Sequence, residues 1–477
     1  MSEREAIERL LQSDQVNGAA SALAELWRRD PSLRTASFIA STFHALRERM
    51  SMVPYRVAIA RSFTVEPLIP LLRAEAFVSG IDLAVHVGDF NAYAQEILDA
   101  KSGLYESAPD VVVVAVETRE AVPDLWYDHA RMTPAARLAA ARRVIDRWRE
   151  FIQAHRAHSR AHLVIHTFEV PPRPAAGLLD GHSPAAHGAA IQGINEEIRR
   201  LCEEQPGVFI LDYDALVARH GRLRWHDHAK WAAAASPIAA EHLIHLAREW
   251  MRILHVLTGK VAKVLAVDLD RTLWGGVVGE DGFDGVQVGP EFPGAAYQSL
   301  QRTLLDLHAR GILLAVCSKN NADEALRVLD THPGMLVRRS HFWAIRINWE
   351  DKSKNLRYIA RELNVGTDAI AFADDGPVER ELVRQQLPEA IVISLPEDPV
   401  EYAATLAGHA AFERLVLSDE DRARSALYAS QQQRAALERA ASTREDVYWS
   451  LQQEVHVGAV TAATVRRVSQ LTQKTNQ

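Results

Sequence analysis

The sequence is poor in cysteine, in long apolar runs and in excess charge of either sign, and each shortage excludes a class of protein. Only two of its 477 residues are cysteines, Cys202 and Cys317, which excludes a disulfide framework and suits a reducing compartment such as the cytoplasm. No apolar run approaches the roughly 18 residues that a membrane-spanning helix needs. The 54 basic and 62 acidic residues give a net charge of -8, which provides no basic surface for nucleic acid.

The length and the hydrophobic pattern predict a multidomain α/β protein. At 477 residues the chain is too long for one ordinary core, and its 48% hydrophobic content is normal for globular proteins. Strand-like runs alternate with helical stretches in two long regions, which predicts two doubly wound α/β domains. The predicted divisions are a helical segment at residues 1–50, an α/β domain at 51–254, a second α/β domain at 255–400 and a C-terminal helical segment at 401–477.

The most informative segment is VLAVDLDRTLWGG, from Val264 to Gly276 in the second α/β domain. An apolar run of strand length ends in Asp268 and Asp270, and parallel α/β sheets place their active sites at the carboxyl ends of their strands. Asp268 is therefore a candidate nucleophile, Asp270 is a candidate general acid and base, and the pair can hold a divalent cation. A solvated acidic turn is the alternative if Asp-x-Asp stands alone.

A second strand-like run, Ile312–Cys317, ends in a group of polar residues. Ser318, Lys319 and Asn320 follow it directly. Their hydroxyl, amide and backbone donors can hold phosphate oxygens. This segment therefore supplies the phosphate-binding element that the acidic pair lacks.

Two further segments complete a set of four. Lys352 stands at the start of a helical pattern, where a cation would stabilise both the aspartate and a transferring phosphoryl group. Lys354, two residues later, is predicted to be solvated. Asp374 and Asp375 follow another apolar strand and offer a second carboxylate pair for magnesium. Four such segments in order over about 110 residues of alternating strand and helix predict a phosphoryl-transfer site.

The four segments DLDRTLWGGVVGEDG, LAVCSKNN, NWEDKSKNL and FADDGPVERE resemble the motifs of the haloacid dehalogenase superfamily. In detail they resemble the FkbH-like proteins, which make glyceryl-acyl carrier protein in polyketide pathways. The resemblance implies that Asp268 attacks phosphate and that Asp270 handles the proton. It also implies a magnesium ion and a set of substrate-binding residues. The implied metal ligands are Asp268, Asp270 through its backbone carbonyl, Asp374 and Asp375. The implied catalytic or substrate-binding residues are Thr272, Cys317, Ser318, Lys319, Asn320 and Lys352.

The same resemblance implies the substrates. The donor would be 1,3-bisphosphoglycerate, and the acceptor would be an acyl carrier protein with its phosphopantetheine arm. Two positions depart from the family pattern, because Arg271 and Gly376 each stand where the family has asparagine. Neither position is assigned to catalysis, so the departures bear on substrate preference.

Cys317 raises the question of how the acyl group is transferred. It directly precedes Ser318, so its thiol could capture the acyl phosphate at the mouth of the site. However, free cysteine is usually buried, and successive strand residues point to opposite faces of a sheet. In the alternative, the thiol of the carrier protein attacks the acyl phosphate directly.

The first α/β domain resembles the SGNH-hydrolase-like domain that precedes the phosphatase domain in FkbH-like proteins. Ser62 follows the first strand at the position of a nucleophile, and Gly88 follows the second, where it could donate to an oxyanion. The hydrolase pattern of Asp and His three residues apart is absent, because Lys230 stands three residues after Asp227. A serine without a positioned base is a poor nucleophile, so a non-hydrolytic domain is predicted. Two histidines are possible bases, His226 and His228.

The spacing of the motifs and the end of the chain bear on the substrate and on the domain composition. Too few residues separate the four segments to contain an inserted cap domain, so an open site is predicted, which suits a phosphate carried on a long arm. Residues 468–477 resemble the junction at which longer FkbH-like proteins continue into an acetyltransferase-like domain. The alternatives are a phosphatase of another metabolite without acyl transfer, and a scaffold that binds a carrier protein.

Overall fold

A computed structural model of the chain describes residues 3–13, 15–50, 52–183, 186–259 and 261–416. Within them, residues up to 262 together with 408–415 form one compact unit, and residues 263–407 together with residue 416 form another. These are called unit 1 and unit 2. Most of the predicted C-terminal helical segment, and the predicted junction at 468–477, lie outside the described residues.

Unit 1 contains a parallel sheet of five strands. The strands are β1 (Val53–Arg61), β2 (Ile81–Val87), β3 (Val111–Ala115), β4 (His162–His166) and β5 (Val208–Leu211). They lie in the order β2-β1-β3-β4-β5, and every neighbouring pair is parallel. All residues of β3 are buried, because a strand covered on both faces needs a continuous apolar run.

Helices cover both faces of this sheet. Val57 and Ile59 of β1 belong to one core, whereas Ala58 and Ala60 belong to another, because successive side chains point to opposite faces. Residues before position 50 also contribute to the first core, including Trp27. The helices are α1 (Glu3–Gln12), α2 (Val16–Arg29), α3 (Leu33–Leu46), α4 (Leu68–Val78), α5 (Tyr93–Leu98), α6 (Gly103–Glu106), α7 (Thr118–Ala121), α8 (Pro123–Tyr127), α9 (Pro134–His158), α10 (His187–Glu203), α11 (Tyr213–His220), α12 (Arg222–Trp225), α13 (His228–Ala234) and α14 (Leu243–Leu257).

The chain returns to unit 1 at residues 408–415, after residues 263–407 of unit 2. The backbone N–H of Ala262 donates to the carbonyl of Ala411 at 2.9 Å. Arg252 of α14 forms an ion pair with Glu413. Phe412 is 1% exposed, so residues 408–415 bury apolar surface in addition to forming polar contacts.

Unit 2 contains a second parallel sheet of five strands. The strands are β6 (Val264–Val267), β7 (Leu313–Ser318), β8 (Phe342–Ile347), β9 (Ile370–Asp374) and β10 (Ile391–Ser394). Their order is β10-β9-β6-β7-β8, and all neighbours are parallel. The helices are α15 (Val278–Gly285), α16 (Gly294–Ala309), α17 (Ala322–Thr331), α18 (Lys352–Glu362), α19 (Pro377–Gln386) and α20 (Tyr402–Ala407).

The predicted fold class, two doubly wound α/β domains, is confirmed. In unit 2, only α15 and α16 stand between β6 and β7, and only α17, β8 and short turns stand between β7 and α18, so neither interval holds a cap domain. The direction of strand addition reverses beside β6, and ligands of such sheets bind at that point, outside the carboxyl ends of the strands. Among the described residues, no helix is both long enough and apolar enough to cross a membrane.

Candidate active site

Three carboxylates meet at the carboxyl ends of two neighbouring strands of unit 2. Asp268 follows β6 directly, Asp374 is the last residue of β9, and Asp375 comes next. The register pairs Val267 with Ala373, which places Asp268 beside Asp374. One carboxylate oxygen from each of the three aspartates lies within 4.8 Å of the others. Such an all-oxygen group can hold a hard divalent cation.

Lys352, the first residue of α18, binds two of these carboxylates. Its Nζ lies 3.0 Å from Oδ2 of Asp268 and also donates to Oδ2 of Asp374. Burial by itself would lower the pKa of Lys352, but the charges of Asp268 and Asp374 outweigh it and raise that pKa. The lysine is therefore charged, and it holds two like charges side by side.

The carboxylates are shielded from solvent, and one of their oxygens has no partner. Burial, and then the charge of Asp268, raise the pKa of Asp374, whereas Lys352 opposes the shift. Oδ1 of Asp268 is buried and accepts no hydrogen bond from the described residues. An unpaired buried carboxylate oxygen is unfavourable unless a ligand reaches it. The three aspartates therefore fit a divalent cation, with an oxygen of Asp268 free for a cation or a substrate.

Asp270 is held apart from this group by three hydrogen bonds. Its Oδ1 accepts from Nε1 of Trp274 at 2.8 Å and from the backbone N–H of Val278 at 3.1 Å, and its Oδ2 accepts from Nδ2 of Asn320 at 2.8 Å. Burial raises the pKa of Asp270 despite these bonds. Its carboxylate is not among the three that converge, which leaves only its backbone carbonyl for the implied metal ligation. Asn320, predicted to bind substrate, positions Asp270 in this structure.

Two buried or half-buried side chains fix the loop that carries Asp375. The hydroxyl of Thr272 contacts both Oδ1 and the backbone N–H of Asp375, each at 3.3 Å, and Thr272 is fully buried. Arg380 donates to the carbonyls of Asp374 and Asp375 at 2.7 Å each. Thr272, predicted as a substrate ligand, therefore has a positioning contact, and Arg380 was not predicted from the sequence.

Ser318 and Lys319 differ in their surroundings although they are neighbours. Ser318 is the last residue of β7 and is buried at the same carboxyl end of the sheet as Asp268. Lys319 lies past the strand, and its Nζ forms an ion pair with Glu379 of α19 at 2.8 Å. The ammonium group of Lys319 therefore has a carboxylate partner on the protein.

Cys317 faces the core of unit 2. It is fully buried, and its Sγ lies 3.7 Å from the carbonyl oxygen of Lys352. Burial raises the pKa of this thiol well above its ordinary value, so the thiolate is disfavoured. Lys354 lies on the surface and pairs with Glu350. This is the solvated position that the sequence predicted for Lys354.

In unit 1, Ser62 follows β1 and is buried. Its Oγ accepts a hydrogen bond from the backbone N–H of Glu117 at 2.8 Å. The N–H of Gly88 donates to the carbonyl of Ile59 at 2.9 Å, so the prediction that Gly88 could serve as an oxyanion donor is wrong for this structure. Ser62 therefore lacks the donor that was expected from the second strand.

The carboxylate partner of His226 was missed in the sequence. Nε2 of His226 lies 2.8 Å from Oε2 of Glu169, which is 57 positions away and in no recognisable motif with it. Asp227 instead caps α13, with Oδ1 accepting from the backbone N–H of Lys230 at 2.9 Å. Beside Glu169 lies Glu117, whose Oε1 accepts from Nε of Arg119 at 2.9 Å.

Comparisons with known proteins found one family match within unit 1 and one solved structure similar to most of the chain. Residues 57–255 match the FkbH N-terminal domain family. The solved N-terminal part of the protein BF1531 from Bacteroides fragilis, which contains a phosphatase domain and is complexed with Mg, is 26% identical. It covers 77% of this chain and 96% of its own, with a TM-score of 0.67.

A lipase from a goat rumen metagenome is 13% identical over 42% of this chain and 96% of its own, with a TM-score of 0.32, which is too low to bear on function. No curated protein matches the chain in sequence. The family match and the similarity to the phosphatase-containing structure confirm the resemblance to FkbH-like proteins that the sequence indicates.

Proposed function

We propose that this chain is a magnesium-dependent phosphatase and acyl transferase of polyketide-type biosynthesis. It would load a glyceryl unit from 1,3-bisphosphoglycerate onto an acyl carrier protein. The observation that carries the phosphatase part is the group of Asp268, Asp374 and Asp375 held by Lys352, in which Oδ1 of Asp268 has no partner. The acyl transfer part rests on the family.

In the phosphatase step, a carboxylate oxygen of Asp268 attacks phosphorus and the substrate oxygen leaves. Asp270, held in place by Asn320 and Trp274, gives its proton to that oxygen. The carboxylate of Asp270 then takes a proton from the water that cleaves the aspartyl phosphate, and inorganic phosphate is released. Lys352 stabilises the negative charge near Asp268 throughout.

Magnesium is the cation that suits an all-oxygen group of aspartates, and the similar Bacteroides fragilis structure is complexed with Mg. A bound Mg²⁺ would neutralise charge on the phosphoryl oxygens. The ligands would be the carboxylates of Asp268, Asp374 and Asp375, with the backbone carbonyl of Asp270. The carboxylate of Asp374 already accepts hydrogen bonds from Lys352 and from the backbone N–H of Gly376. Asp375 therefore has fewer protein donors that compete with a metal ion for its carboxylate.

In the acyl step, a thiol sulfur attacks the acyl carbon of 1,3-bisphosphoglycerate, a thioester forms and inorganic phosphate leaves. Burial of Cys317 favours the thiol of the carrier as the direct nucleophile. The absence of a cap domain between the described strands of unit 2 supports this route, because a phosphopantetheine arm needs an open approach to the carboxyl end of the sheet.

The test is mass spectrometry of an acyl carrier protein incubated with the chain, Mg²⁺ and 1,3-bisphosphoglycerate. A glyceryl adduct on the phosphopantetheine thiol is expected with the parent chain, and Asp268→Asn should leave the heavier phosphoglyceryl adduct. A carrier that stays unmodified while phosphate is released would favour the alternative, a phosphatase of another metabolite. Unmodified carrier without phosphate release would favour the scaffold.

Cys317→Ala separates the two acyl routes. With direct attack by the carrier thiol, this variant should load the carrier at nearly the parental rate and lose only about 1 kcal/mol of unfolding free energy, as for the removal of a small buried group. A hydroxylamine-labile adduct on a peptide containing Cys317, absent from Cys317→Ala together with loading, would establish covalent transfer through Cys317 instead.

A further inference from the structure

A second cluster of charged side chains lies at the carboxyl end of the sheet of unit 1. Glu117 follows β3, Glu169 follows β4, and His226 precedes α13. One donor atom from each of the three lies within 4.8 Å of the others. Glu117 and Glu169 are each only 1% exposed. Two carboxylates are thus removed from water together, which is unfavourable unless cations or hydrogen-bond donors satisfy them.

The donors supplied by the protein do not satisfy the cluster. Oε2 of Glu117, Oε1 of Glu169 and Nδ1 of His226 are all buried, and none has a hydrogen-bond partner among the described residues. Most buried polar atoms in folded proteins are paired. One unpaired buried atom on each of three adjacent side chains indicates that the cluster has unused capacity to bind a ligand.

We propose that Glu117, Glu169 and His226 form a second metal site, which takes a divalent transition-metal ion of the zinc and cobalt class. Two carboxylates and one imidazole suit such ions, whereas Mg²⁺ prefers oxygen ligands alone. The site therefore differs in kind from the all-oxygen aspartate group of unit 2. Three protein ligands leave at least one coordination position for water or for a bound molecule.

The guanidinium of Arg119 is a positive charge that would repel a bound cation. Its contacts nevertheless leave one oxygen of Glu117 unused. Its Nε and Nη2 both bind Oε1 of Glu117, so Oε2 of the same carboxylate stays available. Metal-ligating carboxylates are commonly held by such an outer hydrogen bond. A ligating imidazole nitrogen must carry no proton, so an ion bound through Nε2 of His226 would replace the present contact of that atom with Oε2 of Glu169.

The test is titration of the full chain with Co²⁺ in an excess of Mg²⁺. Binding is measured by the visible absorbance of bound cobalt. Magnesium occupies the all-oxygen group of unit 2, so cobalt should report on the new site. Stoichiometric binding is expected, with affinity lower by about tenfold or more in Glu169→Gln and in Glu117→Gln. Asp227→Asn is the matched control: it neutralises a neighbouring, more exposed carboxylate that binds Lys230, and it should keep the parental affinity.

A second readout does not depend on whether the glutamine variants fold. Co²⁺ in excess Mg²⁺ should raise the thermal unfolding midpoint of the parent chain and of Asp375→Asn, because an ion that binds only the folded state stabilises it. No cobalt binding by the parent would overturn the proposal. Binding that is lost in Asp375→Asn but kept in Glu169→Gln would also overturn it, by assigning the ion to unit 2. Neither result would affect the proposed phosphatase.

Discussion

Units 1 and 2 both bring carboxylates together at the carboxyl end of a parallel sheet, but they neutralise them differently. In unit 2 a single lysine, Lys352, contacts two aspartates and leaves an oxygen of Asp268 open. In unit 1 the groups that contact the glutamates are the guanidinium of Arg119 and the imidazole of His226, each engaged with one carboxylate. The two candidate nucleophiles, Ser62 and Asp268, also differ in the partners of their oxygen atoms.

The serine of unit 1 and the aspartate of unit 2 occupy comparable places after a strand. Oγ of Ser62 already accepts a backbone hydrogen bond, and the N–H of Gly88 is used within the sheet. Asp268, in contrast, has a charged partner on one oxygen and none on the other. From this comparison we infer that the position after a strand is not sufficient for a nucleophile. We expect the contacts that leave an oxygen of Asp268 available to decide between the two candidates.

The largest effect is expected from Asp268→Asn, which tests this contrast most directly. The exchange is nearly isosteric but removes the nucleophile, so phosphate release should fall by about a thousandfold or more. Ser62→Ala in unit 1 should release phosphate at close to the parental rate. Release of phosphate from a generic phosphate ester measures both variants. The contrast fails if Asp268→Asn stays within tenfold of the parent, or if Ser62→Ala loses activity to the same extent.

Stability should depend strongly on Lys352. Lys352→Met keeps most of the apolar length but leaves two buried carboxylates facing each other, and breaking such a buried pair costs about 3–5 kcal/mol. Denaturant titration without added metal measures the change. The matched control is Lys354→Met, two residues along the same helix, where the exposed pair with Glu350 should contribute little. Equal effects of the two substitutions would show that Lys352 is not the cation that holds the site.

Much of unit 2 was predictable from the sequence because each strand that carries a candidate site residue is a buried apolar run with acids or a serine at its end. The contacts of those residues were less predictable. Motif position alone did not indicate that Asn320 binds Asp270 or that Thr272 binds Asp375, because side-chain direction depends on the folded loops. In unit 1, Glu169 and His226 come together only through the fold, since 57 positions separate them.

The two units should also differ in their response to acid, and per pH unit this is the smallest of the expected effects. Unit 1 buries histidines, whereas the three histidines among the described residues of unit 2 are only half-buried. Burial lowers the pKa of His166 from 6.5 to about 3 and that of His155 to about 4. Below pH 6.5 the unfolded chain therefore binds protons that the folded chain does not. The unfolding free energy of unit 1 should fall with falling pH, by up to about 1.4 kcal/mol per pH unit for each such histidine.

His166→Gln sharpens this expectation, because glutamine can still accept the hydrogen bond that Nε1 of Trp250 donates to Nε2 of His166 at 2.8 Å. Denaturant titrations at a series of pH values between 6.5 and 4 should show one proton fewer taken up on unfolding. An unchanged pH slope would mean that His166 is not the group that makes unit 1 sensitive to acid.

The return of residues 408–415 to unit 1 has a consequence for dividing the protein into pieces. A fragment ended near residue 400, where the sequence pattern places the end of the second α/β domain, would lose Phe412 and the ion pair of Glu413 with Arg252. The damage would then fall on unit 1, at the opposite end of the sequence from the cut. Deletion of residues 263–407, with a short linker joining Ala262 to Gly408, should instead leave unit 1 folded. The two ends already lie close together, because the N–H of Ala262 donates to the carbonyl of Ala411.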